Sequence, residues 1–144
     1  MTDHLNDLAT GIGAAAAYSV VGLLILLAGF VTVDLATPGN LRRQIWDDRN
    51  KDLTLVLASG LVANATTVVV AILSSSDDLG KGLIDSFGYG LLGVLLIGLV
   101  FRVVDALTPG DLGAMVAHDD HHPAVWITVV THLAVGAVVA ASIS

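Results

Sequence analysis

Four long apolar stretches run through the chain, separated by short polar segments. Each stretch approaches the roughly 20 residues that a helix needs to cross a bilayer. A soluble core would not need four uninterrupted segments of this length, and the polar remainder is too small for a separate soluble domain. The pattern therefore predicts an all-α membrane protein with transmembrane helices at 12–33, 53–73, 87–104 and 124–143.

One segment of the chain occurs twice, which indicates an internal repeat. Residues 33–40 read VDLATPGN and residues 104–111 read VDALTPGD, each at the end of an apolar stretch. Because each unit crosses the membrane twice, both copies start from the same side and the repeat is parallel. We predict two helix–loop–helix repeats at 12–73 and 85–144, joined by a linker at 74–84.

The basic residues predict how the chain is oriented. Five of the six Lys and Arg residues fall at one membrane face, and the positive-inside rule places that face in the cytoplasm. The linker and both termini are then extracytoplasmic. The tail 1–11 has no Lys or Arg, unlike the start of a cleaved signal peptide. The five residues are Arg42, Arg43, Arg49, Lys51 and Arg102, and Lys81 lies opposite.

The duplicated D-x-x-TPG-[ND]-L, each copy at the cytoplasmic end of an apolar span, resembles the DUF350 family, also called UPF0719 transmembrane proteins. The resemblance covers residues 10–144, and both copies of the motif are intact. It implies a small bacterial inner-membrane protein with four spans. Genes of this family often lie near those for polyamine-synthesis-like enzymes and phage-shock-type proteins, which implies a connection with membrane stress.

Composition excludes several classes of function. A net charge of −7 argues against nucleic-acid binding, which needs a basic surface. The absence of cysteine removes disulfides, thiolate metal sites and cysteine catalysis. The sequence has no Gly-rich phosphate loop and no Ser/His/Asp array. We therefore expect a protein that is not an enzyme and that carries no cofactor.

Thr followed by Pro is a helix-start signal, because Thr caps free amides and Pro is preorganised for the first helical position. The motif is therefore predicted to turn the chain from each span into a short helix lying in the membrane interface. The residues assigned to the two turns are Thr37, Pro38, Gly39, Thr108, Pro109 and Gly110.

The segments after the turns have the spacing of short amphipathic helices. In the first, Leu41 and Ile45 are four residues apart and Trp46 lies beside them. We expect this apolar side to face lipid, and Arg42 and Arg43 to face lipid headgroups or a partner protein. The second segment has the same spacing at Leu112, Met115 and Val116.

Each copy of the motif begins with an Asp in the last turn of a span, where the helix dipole disfavours an anion. In one interpretation, Asp34 and Asp105 cap the helix that follows the turn. In the other, they ring a cytoplasmic cation entrance. Arg102 precedes Asp105 by three residues and predicts a salt bridge, whereas Val31 precedes Asp34. Asp34 is thus the better candidate for a functional carboxylate.

Two polar residues fall near the middle of spans. Asn64 lies in span two and His132 in span four, and intramembrane polar residues are functional candidates. They are also candidates for structural hydrogen bonds between helices, and in the bundle the two could approach each other at similar depth. A proton or ion role for His132 is the alternative, because imidazole changes charge near neutral pH.

The run HDDHHP at 118–123 has imidazole and carboxylate groups that suit zinc or nickel. However, His122 precedes a proline, which disfavours helix, so a pair with His118 on one helical face is not expected. We interpret the run as a solvated connector. A metal, if bound, would use His118, His121 and His122.

Two functions follow from these features. The first is a small oligomeric channel or permease component for a cation or small cationic solute, based on Asp34, Asp105 and His132. The alternative is a non-catalytic scaffold or accessory subunit that recruits cytoplasmic or membrane-stress proteins through its loops. Small residues such as Gly136 and Ala140 suit close helix contacts, and we expect a homo-oligomer in the lipid bilayer.

Overall fold

The computed structural model describes residues 1–75, 78–110, 112–117 and 122–144. These residues form helices and no strand, and four of the helices are long and apolar enough to cross a membrane. The predicted all-α membrane protein is therefore confirmed. In chain order the helices are α1 Thr2–Ala36, α2 Leu41–Trp46, α3 Lys51–Leu73, α4 Leu79–Leu107, α5 Leu112–Ala117 and α6 Ala124–Ile143.

Two spans begin well before their apolar stretches. Helix α1 begins at Thr2 and α4 at Leu79, so most of the expected tail and the end of the expected linker are helical. The 35 residues of α1 are about 52 Å long at 1.5 Å per residue. This exceeds the roughly 30 Å of a hydrocarbon core, so α1 extends beyond the membrane interior.

Helix α3 is the centre of the bundle. Its most extensive contact is with α6, and it also packs against α1 and α4, which contact each other. Half of the most apolar window of α3 is buried within the chain, against 11% for α1. Much of α1 therefore presents apolar side chains to the surrounding lipid.

Small residues allow the close helix contacts. A Cβ atom on Gly136 of α6 would lie 2.7 Å from the Cβ of Ala63 on α3. A Cβ atom on Gly90 of α4 would lie 2.9 Å from Ile25 of α1. Glycines of the kind expected to support an oligomer are thus used within the chain, and the homo-oligomer stays a prediction.

The short helices form after both turns, but Thr and Pro do not start them. Thr37 ends α1, and its hydroxyl donates to the carbonyl of Val33 at 2.9 Å. Helix α2 begins at Leu41, and its cap is Asn40, whose side chain accepts from the amide of Arg43 at 3.0 Å. The predicted Thr cap and the first-turn position of Pro38 are therefore wrong.

The glycine of each motif explains why the short helices do not start at Thr and Pro. Gly39 has a φ of 100° and Gly110 a φ of 118°, in the left-handed region that side chains other than Gly rarely adopt. A residue in this conformation cannot continue a right-handed helix, so each short helix starts only after its glycine. In the second copy, Thr108 also bonds back into its span, to the carbonyl of Val104 at 2.7 Å.

The short helices direct their leading leucines into the bundle, not towards lipid as expected. Leu41 and Leu112 are both fully buried, in one apolar cluster with Leu53 and Val125 at the starts of α3 and α6. We call the end of the bundle that holds this apolar cluster and both TPG turns the TPG end. Trp46, in contrast, is 65% exposed, so only part of α2 faces outward.

We expect Gly39→Ala to lower the free energy of unfolding by about 1–2 kcal/mol, because a side chain at positive φ meets the following carbonyl. The new Cβ would also lie 2.5 Å from the side-chain nitrogen Nε2 of Gln44. Thermal unfolding in mild detergent measures the loss. The matched control is Gly11→Ala, since a Cβ on Gly11 would meet nothing within 4 Å. Equal stability of the two variants would contradict the prediction.

Candidate functional site

Polar side chains are buried in the membrane-spanning part of the bundle. They come from three helices that meet there, α3, α4 and α6, and none is more than 6% exposed. Burying polar groups in an apolar medium is unfavourable unless they are hydrogen-bonded. We call this group the polar core, and its members are Ser59, Asn64, Thr67, Ser86, Thr128 and His132.

His132 is 1% exposed and bonds across helices to Ser59, with 3.1 Å between Nδ1 and Oγ. Ser59 also donates its hydroxyl proton to the carbonyl of Val56 at 2.9 Å. A serine has one such proton, and with that proton on the Val56 carbonyl it is the Nδ1–H of His132 that donates to Ser59. In a neutral imidazole, Nε2 is then the acceptor.

The Nε2 atom of His132 is buried and has no hydrogen-bond partner among the described residues. The ring lies near Phe101, with centroids 6.2 Å apart. Both residues line a cavity of about 10 Å³, together with Val33 and Gly98, which is at the lower limit for one water molecule. A buried proton acceptor without a partner is rare and calls for an explanation.

Asn64 does not approach His132 in the way that the sequence suggested. The Oδ1 atom of Asn64 is buried without a partner among the described residues, and its side chain lies against Gly29 of α1. Ser59 and Asn64 are five residues apart, which places them on different faces of α3. His132 therefore forms its cross-helix hydrogen bond with Ser59, and no hydrogen bond joins it to Asn64.

The Asp of the second motif copy is a helix cap. Asp105 Oδ1 accepts from the amide of Leu112 at 2.7 Å, which stabilises the start of α5. This bond agrees with the capping interpretation for this copy, although α5 starts at Leu112 and not at Pro109. Among the described residues Arg102 is exposed and forms no ion pair with Asp105, so the predicted salt bridge is absent.

Asp34 differs from Asp105. It is half-buried near the end of α1 and forms no hydrogen bond or ion pair with a described residue. The structure therefore does not give it the capping role of its counterpart, and it remains the candidate for a functional carboxylate.

Asn50, which is not among the site residues predicted from the sequence, connects the two halves of the chain at the TPG end. Asn50 is 2% exposed, and its Oδ1 accepts from the amide of Leu53 at 3.0 Å, capping α3. Its Nδ2 donates to the carbonyls of Val116 at 3.1 Å and Ala117 at 3.0 Å, at the end of α5. An Asn close to the start of a predicted span is a sequence signal for a helix cap. Nothing in the sequence around Asn50 indicates that its Nδ2 bonds to the distant carbonyls of Val116 and Ala117.

The predicted metal ligands lie mostly outside the described residues, since only His122 of the three is described. Its Nδ1 accepts from the amide of Ala124 at 3.2 Å, and its backbone amide donates to Asp52 at 2.9 Å. His122 thus helps to start α6 and joins it to α3. Within the described ranges, no group of three potential ligands is placed to hold a metal ion.

The comparisons with known proteins agree with a membrane-spanning chain. Residues 7–143 match the family model described as Domain of Unknown Function, DUF350. The chain is 36% identical to a UPF0719 transmembrane protein of Mycolicibacterium paratuberculosis, over 99% of this chain and 95% of that protein. It is 38% identical to a UPF0719 transmembrane protein of Mycobacterium bovis, over 99% of this chain and 94% of the relative. No solved structure matches the chain.

Proposed function

The chain belongs to the DUF350 family, and we propose that it lets a small cation, in particular the proton, cross the bilayer through its helical bundle. The single observation that supports this most strongly is the buried Nε2 atom of His132, which has no hydrogen-bond partner among the described residues. An acceptor in this position can take up a proton and release it, provided that the helices or a water molecule bring a second group within reach.

The buried polar residues of α3 cover most of the depth that such a path has to cross, with Ser59 and Asn64 on different faces of the helix. They run from Asp52 to Thr67, which is about 22 Å along the helix axis and thus most of a hydrocarbon core of roughly 30 Å. Asn64 Oδ1 and Ser86 Oγ are further buried oxygens without partners among the described residues. Each can accept a hydrogen bond from water or from a passing hydronium ion.

The size of the cavity beside His132 favours the proton over larger cations. At about 10 Å³ it has no room for an organic cation, whereas a proton moves along hydrogen bonds and needs no continuous pore. The described conformation is then a closed state of the path. Conduction requires that small motions of the helices admit water to the polar core.

Proton flux into liposomes tests the proposal. Purified protein is reconstituted around a pH-sensitive dye, and a potassium diffusion potential drives protons inward. We expect acidification by the unmodified protein and about a hundredfold or larger loss of the rate for His132→Asn, in line with the general contribution of a positioned proton-transfer group.

The matched control is His4→Asn. His4 is exposed near the start of α1, so this variant should leave the proton flux unchanged.

A second variant, Ser59→Ala, keeps the imidazole of His132 but removes its cross-helix partner, and we expect a smaller loss of flux. If liposomes show no proton flux at any pH or potential, the proposal is wrong. It is equally wrong if His132→Asn, folded as judged by circular dichroism, conducts like the unmodified protein.

A further inference from the structure

A large open groove lies at the TPG end, between the second half of α1 and the short helix α2. Its volume is about 710 Å³, within the range of small-molecule sites. One wall is apolar and comes from Leu27 and Phe30 of α1, while the other comes from Arg42, Arg43 and Trp46 of α2. The groove therefore joins an apolar surface to a basic one.

The two walls lie at different depths of the membrane. Leu27 is 58% exposed on a membrane-spanning helix, so its side chain faces hydrocarbon. Trp46 is 65% exposed, and tryptophan favours the level of the lipid headgroups. A ligand that fills the groove must be apolar at one end and polar at the other.

The basic wall fits an anion. Arg42 is held over the ring of Phe30, with its guanidinium 5.9 Å from the ring centroid, and such contacts orient a guanidinium. Neither Arg42 nor Arg43 forms an ion pair with a described residue. Asp47 also lines the groove, which leaves an excess of one positive charge. Guanidinium groups bind phosphate through paired hydrogen bonds.

We propose that this groove binds one anionic phospholipid. The phosphate contacts Arg42 and Arg43, and an acyl chain lies along Leu27 and Phe30. This inference does not depend on proton conduction, because it concerns the outer surface of α1 and α2 and no member of the polar core.

The second copy of the motif lacks the two arginines and the tryptophan that form the basic wall. Gly113 and Ala114 stand where the first copy has Arg42 and Arg43, and Ala117 stands in the place of Trp46. The duplicated motif therefore supplies one basic wall, and the site is expected once per chain.

Native mass spectrometry of the purified protein, titrated with phosphatidylglycerol or phosphatidylcholine, tests the site. We expect one phosphatidylglycerol per chain to bind more tightly than phosphatidylcholine. The double variant Arg42→Gln/Arg43→Gln should weaken phosphatidylglycerol binding about thirtyfold, from the usual contribution of a basic residue near an anionic lipid surface. Both side chains are exposed, so the variant should fold normally.

The matched control is Arg49→Gln/Lys51→Gln. It removes the same charge from the same end of the bundle at exposed residues that do not line the groove, and it should bind phosphatidylglycerol as the unmodified protein does. Equal binding of the two lipids, or an equal loss in both double variants, would overturn the proposal. Glycerol 3-phosphate should not displace the lipid at equal concentration. If it does, the acyl-chain contact is wrong and the site is one for free phosphate.

Discussion

The Gly136→Val variant is expected to lower the free energy of unfolding by about 3 kcal/mol, at the upper end of the usual cost of overpacking. A Cβ on Gly136 would lie 2.7 Å from the Cβ of Ala63, 2.8 Å from its Cα and 3.0 Å from its carbonyl oxygen. Two of these atoms belong to the backbone of α3 and cannot rotate away. The variant therefore has to move α3 and α6 apart along their most extensive contact.

The matched control for this substitution is Gly88→Val. Gly88 lies inside α4, and a Cβ there would meet nothing within 4 Å, so only the small difference in helix propensity remains. Unfolding with a denaturing detergent, followed by circular dichroism, compares the two variants. Separation of α3 and α6 should also break the bond between Ser59 and His132. Similar unfolding midpoints for both variants would show that the helices do not approach as described.

The Asn50→Ala variant is expected to lower the free energy of unfolding by about 2–3 kcal/mol. It removes the cap of α3, typically worth about 1 kcal/mol. It also leaves the carbonyls of Val116 and Ala117 without the donor that they now share, and a buried group that loses its partner costs about 1–3 kcal/mol. Hydrogen exchange at α5 should rise in parallel, because Asn50 holds the end of that helix.

Two further variants separate the roles of Asn50. Asn50→Asp keeps the oxygen that accepts from Leu53 but loses the amide donor, so α3 should remain capped while α5 loosens. Asn40→Ala removes the solvent-exposed cap of α2 and should lower the free energy of unfolding by no more than about 1 kcal/mol. If Asn50→Ala were as mild as Asn40→Ala, the link between the two halves would contribute nothing to stability.

The sequence by itself determined the four spans and the two short helices that follow the repeated motif. Long apolar stretches must satisfy their backbone hydrogen bonds within the segment, which leaves the helix as the available structure. The glycine of each TPG turn is equally visible in the sequence, but the local pattern does not show its positive φ. Thr37 and Pro38 read locally as a helix start, whereas the φ of 100° at Gly39 delays the helix to Leu41.

Only the tertiary structure decided which polar groups meet. The spans are apolar around most of their circumference, so periodicity does not identify the face that turns inward. The rotation of α3 places Ser59, not Asn64, against His132. Asn50 reaches carbonyls of Val116 and Ala117, in the other half of the chain. The hydrogen-bond partners of His132 and Asn50 depend on how whole helices rotate and pack, and no local sequence pattern predicts that packing.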